Sequence, residues 1–313
     1  MSPHLLDTYQ EQEDVYMAGC RKKNQSQLLG ILFLSPALIL IIVTSFIPYV
    51  SNLILSFQKW DGFLSRKWVL FDNYVKFFSS PSTLRYLYNS VYLAFTSTIG
   101  SVLLGFVLAL LLVNLNNRFG AFSKLVFYLP GLIPTAILAM LFSFILNPEM
   151  GILNNVLKLI GLGKYAKAWL EDRHTAMNCV VLLNIWKSCG MTMILTYAAV
   201  KMIPSSLFES CDIDGGGYFR KLFNITIPLV RPYVGTAMLF TLSGCFRTYD
   251  SVYALTGGGP SDITRTIPIN MVYYSFNYGE FGYAACMGVV LSLVVMASLL
   301  LVLFFFGGKQ YEI

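Results

Sequence analysis

Six long stretches with few charges limit what this chain can become: Leu28 to Phe57, Tyr88 to Val113, Leu125 to Asn147, Met177 to Met202, Tyr233 to about Leu255, and Phe281 to Gly308. Each supplies at least the roughly 20 residues that a helix needs to cross about 30 Å of hydrocarbon. No water is available there to satisfy peptide groups, so such segments must be helical. The chain is 56% hydrophobic and 12% charged, with a mean hydropathy of +0.63, which is far more apolar than a soluble domain with a few buried helices. The expected fold class is all-α integral membrane, with six transmembrane helices.

A polar tail, residues 1–26, precedes a transmembrane domain, residues 27–313. The first apolar run is about twice the length of a signal-peptide core and follows this tail, so the N-terminus is expected to stay attached. The positive-inside rule divides the loop lysines and arginines equally between the two sides. The Arg21-Lys22-Lys23 cluster lies beside the first span, where the bias acts most strongly. It favours cytoplasmic N- and C-termini in a multi-pass protein of the cell membrane.

The net charge of +6 is spread over many loops and implies no nucleic-acid partner. The six cysteines form no C-x-x-C, and most lie inside apolar stretches, so neither disulfides nor a metal site is expected. The "GLGKY" at Gly161 to Tyr165 lacks the spacing and the hydroxyl residue of a nucleotide-binding loop. Two histidines, His4 and His174, both lie outside the spans, and no catalytic constellation is present. These absences disfavour an enzyme and leave transport as the leading class.

The segment from Glu209 to Pro232 is more polar and richer in glycine than its flanks. Pro204 ends the fourth span, and Ser206-Leu207-Phe208-Glu209 has the S-x-x-E form of a capping box. A short helix is predicted to start there and to stop at Gly215-Gly216-Gly217, where glycine permits a turn with positive φ. A second helical pattern runs from Tyr218 to a kink at Pro228. The prediction is a helix-turn-helix over about residues 203–228, with Leu207, Phe208 and Cys211 on one side, lying at the membrane surface or docking onto a partner.

The pattern Glu209-Ser210-Cys211-x3-Gly215-x9-Ile225-x-Ile227-Pro228 resembles the E-A-A loop of ABC importer permeases. Ser210 and Cys211 stand in place of the two alanines, and Ile227 in place of leucine. "YALTGGGPSDITRT" (Tyr253 to Thr266) resembles the segment after the fifth span of permeases of the maltose-transporter type. "YYSFNYGEFGYAACMG" (Tyr273 to Gly288) and "KWVLFDNYVKFF" (Lys67 to Phe78) resemble its entry to the last span and its first external loop. The resemblance covers nearly everything beyond Leu28. It implies a permease subunit paired with a second, homologous permease, two cytosolic P-loop ATPase subunits and an extracytoplasmic solute-binding protein. ATP and Mg would sit on the ATPases, leaving this chain without a cofactor. The loop between the fourth and fifth spans would be a cytoplasmic coupling element, with Leu207, Phe208, Glu209, Ser210, Asp214, Gly215 and Pro228 facing or shaping the ATPase contact.

Charged side chains inside spans cost about 2.5 to 3.5 kcal/mol each on insertion scales and therefore tend to face a cavity or a partner. Lys187, Arg247 and Asp250 are such residues, although Arg247 and Asp250 at i, i+3 also have the spacing to neutralise each other. The resemblance places Lys187, Ser188, Met191, Phe246, Arg247, Tyr249 and Asp250 near a substrate pathway for an oligosaccharide or related sugar. The two cations raise an acidic or phosphorylated sugar as a narrower case. A secondary transporter without an ATPase, a membrane enzyme or assembly factor, and an importer of glycerol phosphate or a polyol remain alternatives.

Overall fold

The computed structural model describes residues 31–63, 66–113, 115 and 117–307. The polar tail expected at residues 1–26 lies outside them. Contacts divide the chain into two units at Ile54–Leu55. The first holds helix α1 (Ile31–Leu55), which widens to a π-helical turn at Ile42–Phe46, two residues before Pro48. Proline has no amide hydrogen, and its ring clashes with the carbonyl four residues back, here Thr44; the widened turn absorbs that clash.

The second unit is built around three long helices: α3 (Pro81–Val113), α7 (Ala176–Lys201) and α9 (Tyr218–Phe246). α12 (Phe281–Phe306) packs against α9. The expected third span, Leu125 to Asn147, is a broken pair instead. α4 (Asn117–Leu132) and α5 (Thr135–Ile145) meet at 99°. Pro134 explains the break, because it drives Ile133 out of the helical region and itself adopts an extended ψ of 134° as the cap of α5. Among the described residues, five helices and this broken pair therefore stand where six simple spans were expected.

Between α3 and α7 the interface is made close by small and hydroxyl residues, as is usual where lipid removes the hydrophobic drive between helices. The Thr192 hydroxyl donates to the Ser101 carbonyl at 2.7 Å. On the neighbouring face of α7, Gly190 lies so near the α4 backbone that a Cβ there would overlap the Phe127 carbonyl oxygen. Large apolar side chains such as Leu103, Leu293 and Phe304 point outward from the second unit, as lipid-facing positions do.

A polar cap closes one end. Strands β1 (Gln58–Lys59) and β2 (Lys67–Trp68) pair antiparallel, followed by α2 (Asp72–Ser79), whose Asn73 amide donates to the carbonyls of Ser56 and Gln58 at 2.8 and 3.0 Å. Lys76 of α2 forms an ion pair with Glu280 and lies 4.3 Å from the Tyr283 ring centre. The glycine-rich turn after α10 (Asp250–Thr256) is held by Asn89 of α3, whose amide donates to the carbonyls of Ile263 and Arg265, both at 2.8 Å. α11 (Ile267–Val272) then leads to a π-helical turn and α12. On the same chain, α6 (Ile152–Leu159) is tied down by Asn154, which accepts from the Trp169 indole at 2.8 Å.

Candidate functional site

α4, α7 and α9 enclose an open-sided cavity of about 340 Å³. Tyr128 enters from α4, Lys187, Ser188 and Met191 from successive turns of α7, and Phe240 and Thr241 from α9. The sequence brings them together because α7 carries its polar residues mid-span and because Gly190 admits α4 closely enough to put Tyr128 beside them. Lys187 Nζ donates to the Thr135 hydroxyl at 2.5 Å, so the break between α4 and α5 supplies a partner for an otherwise unpaired intramembrane ammonium. Asn184, one turn before Lys187, is bonded through its amide to Ser251 of α10 at 3.1 Å.

Of the pathway residues expected from sequence, Lys187, Ser188 and Met191 share this cavity; Phe246, Arg247, Tyr249 and Asp250 are not among its walls. Phe246 is fully buried and packs edge-on against Phe95, with ring centres 6.2 Å apart, because α9 turns that face toward α3. Arg247 is exposed, and its Nε donates to its own helix at the Ser243 carbonyl, 3.2 Å away. Tyr249 stacks on Tyr253 at 5.1 Å, and Asp250 is the exposed first residue of α10. No ion pair joins Arg247 and Asp250 among the described residues. Tyr128, Phe240 and Thr241 were not singled out from sequence, since nothing local tells a cavity-facing tyrosine or phenylalanine from a lipid-facing one.

The segment between α7 and α9 contains α8 (Ser205–Ile213), then the glycine turn. Gly215 has φ +70°, and the Gly216 amide donates back to the Cys211 carbonyl at 2.7 Å, closing the helix end. Asp212 and Lys221 form an ion pair across the turn at 2.6 Å. Two expectations need correction. The capping box is not formed: Pro204 is the cap residue, no side chain caps the helix, and the Ser206 carbonyl instead accepts from the Ser210 hydroxyl at 2.8 Å. The second short helix is not separate, since Tyr218 begins α9 and runs unbroken into the long helix through a π-helical turn at Leu222–Thr226. That turn ends two residues before Pro228, where a kink was expected, and widens the helix there as the turn before Pro48 does in α1.

The apolar anchors are also distributed differently. Phe208 turns inward against Ile203, Val200 and Val230, whereas Leu207 is exposed. The most outward apolar side chain of the turn is Ile213, 87% exposed, followed by Phe219 and Tyr218. Glu209, Ser210 and Asp214 are exposed on the same segment.

Comparisons with known proteins agree with this architecture. Residues 101–309, more than half of the chain, match the family described as "Binding-protein-dependent transport system inner membrane component". The chain is 34% identical over 290 residues to the probable ABC transporter permease protein YurN of Bacillus subtilis, covering 92% of this chain and 99% of that one. It is 31% identical over 294 residues to the diacetylchitobiose uptake system permease protein NgcF of Streptomyces coelicolor, covering 90% and 83%. The fold matches a chain of a solved bacterial ABC transporter involved in importing the acidic polysaccharide alginate, with TM-score 0.77 and 22% identity over 91% of this chain and 97% of that one. The chain belongs to the binding-protein-dependent transport system inner membrane component family, and is a transport component rather than an enzyme.

Proposed function

We propose that this chain forms half of the transmembrane pathway of an ATP-driven importer for an oligosaccharide or related sugar, working by alternating access with a second, homologous permease. The observation that carries the reading is the mid-helix cavity, in which a lysine, hydroxyl groups and an aromatic ring converge inside an otherwise apolar bundle. Hydroxyls suit the polar rim of a sugar and the ring suits its C–H faces. A relative 31% identical is named for diacetylchitobiose uptake, which supports the substrate class.

Two cytosolic ATPase subunits would bind ATP and Mg and engage the segment from about residue 203 to 228. Glu209 and Asp214 would orient the contact, Leu207 and Ile213 would seat in it, and Gly215 would set the turn. An extracytoplasmic solute-binding protein would deliver the sugar at the opposite face, with both termini of this chain cytoplasmic. In support, the segment presents exposed apolar and acidic side chains on a short helix locked by a glycine turn and an ion pair, a shape suited to insertion in a groove.

Detergent purification of the tagged chain from its native membrane, with mass spectrometry of the co-purifying proteins, tests this. A P-loop ATPase and a second multi-span permease are expected. A chain that elutes alone and drives uptake from an ion gradient overturns the reading.

A further inference from the structure

The cavity holds one cation, Lys187, and no carboxylate lines it among the described residues. Lys187 takes part in no ion pair among the described residues, and its bond to Thr135 occupies one of three ammonium donors. The second intramembrane cation read from the sequence, Arg247, lies outside the cavity walls and is held to the Ser243 carbonyl. The charge that this chain offers to a ligand is therefore a single positive one.

That number discriminates between anions. A phosphate monoester carries a charge of about −1.5 to −2 near neutral pH, so one ammonium would leave part of it uncompensated in an apolar bundle. A carboxylate carries one negative charge and two acceptor oxygens. The free ammonium hydrogens and the neighbouring Ser188 hydroxyl can serve both. Phe240, 67% exposed, offers a ring face to the pyranose on the other wall, and Tyr128 offers a phenolic hydroxyl.

We infer that the pathway selects sugars bearing a single carboxylate, a uronic-acid-containing oligosaccharide, with Lys187 as the specificity-determining residue. The inference rests on the sugar-importer reading above and narrows it.

The test uses the whole transporter, expressed with its partner subunits in cells. These are given radiolabelled glucose-, galactose- and mannose-based di- and trisaccharides, each beside its C6-oxidised uronate form, and uptake is read per assembled transporter. At least one uronate is expected to enter. Lys187→Met should lower its uptake ~10- to 100-fold, as loss of a charge-assisted bond does, while Lys187→Arg retains most of it. Import of neutral forms alone overturns the inference and leaves the sugar reading standing, as does uronate import indifferent to Lys187→Met. Entry of no sugar from either set, with the ATPase still co-purifying, removes the sugar reading and this inference with it.

Discussion

At Gly215, φ +70° lies in the left-handed region, where a side chain costs about 1 to 2 kcal/mol. No atom lies near enough to clash with an added Cβ, so the cost is one of backbone conformation alone. Gly215→Val should leave the amount of membrane-inserted chain unchanged and reduce coupled uptake; wild-type uptake would remove the turn from the mechanism. Glu209 is exposed, so Glu209→Lys leaves the fold untouched and reverses one charge at the proposed docking surface. Uptake is expected to fall roughly tenfold or more, with the ATPase recovered in smaller amount on purification. Undiminished recovery and uptake would mean that Glu209 is merely solvated. The glycine turn was legible in the sequence because three consecutive glycines have few other uses. That Phe208 faces inward while Ile213 faces out was not, because the buried side of a nine-residue helix is chosen by what lies beneath it, here Ile203 and Val230 from other elements.

Elements outside the membrane are held by a few side-chain ties, and each tie predicts a local stability. The loop after α6 is pinned where Asp172 accepts from the Lys167 ammonium at 2.7 Å and from the His174 backbone amide at 2.7 Å. The lysine bond and then the amide bond hold the Asp172 carboxyl below its ordinary pKa. A carboxyl depressed in the folded state stabilises it above the unfolded value, near pH 3.9, and loses that contribution as pH falls through the lower folded value. Protection of the amides over residues 167–175, taken relative to the intrinsic exchange rate at each pH, should therefore hold from neutral pH to about pH 4 and fall below it. Asp172→Asn should remove that pH dependence. The Asn89 tie is stronger, because both carbonyls it serves would be left short of a donor. Asn89→Ala is expected to cost about 2 to 4 kcal/mol, read as earlier thermal unfolding of the detergent-purified protein. The motif from Tyr253 to Thr266 was visible in the sequence; that an asparagine some 170 residues earlier clamps it was not. Hydropathy marks which residues leave water but carries no record of which distant carbonyl a buried amide will find.

Over the whole molecule, spans were legible wherever charge was sparse, so α3, α7, α9 and α12 overlap the expected stretches, although α3 and α9 begin earlier than charge alone suggested and α9 ends at Phe246, short of the expected Leu255. The break between α4 and α5 leaves no mark in hydropathy, because an apolar run reads the same whether it crosses straight or turns through 99°. That bend is what places Thr135 against Lys187, so the cavity's one ion–hydroxyl tie depends on a feature hydropathy could not register. The loop lysines and arginines divide evenly between the two sides, so the expected orientation rests on the cluster near the first span, the shorter inner loops and the resemblance of the 203–228 loop to a cytoplasmic coupling element. That orientation can be tested with cysteines placed on opposite sides, in a background where all six native cysteines are replaced. Glu149 follows α5 and Asp214 caps α8, and both are exposed. With the proposed topology, Glu149→Cys reacts with a membrane-impermeant maleimide in intact cells and Asp214→Cys reacts only after the membrane is opened. The reverse pattern would put the 203–228 segment outside the cell, where no ATPase could reach it, and the coupling role assigned to that segment would fall with the topology.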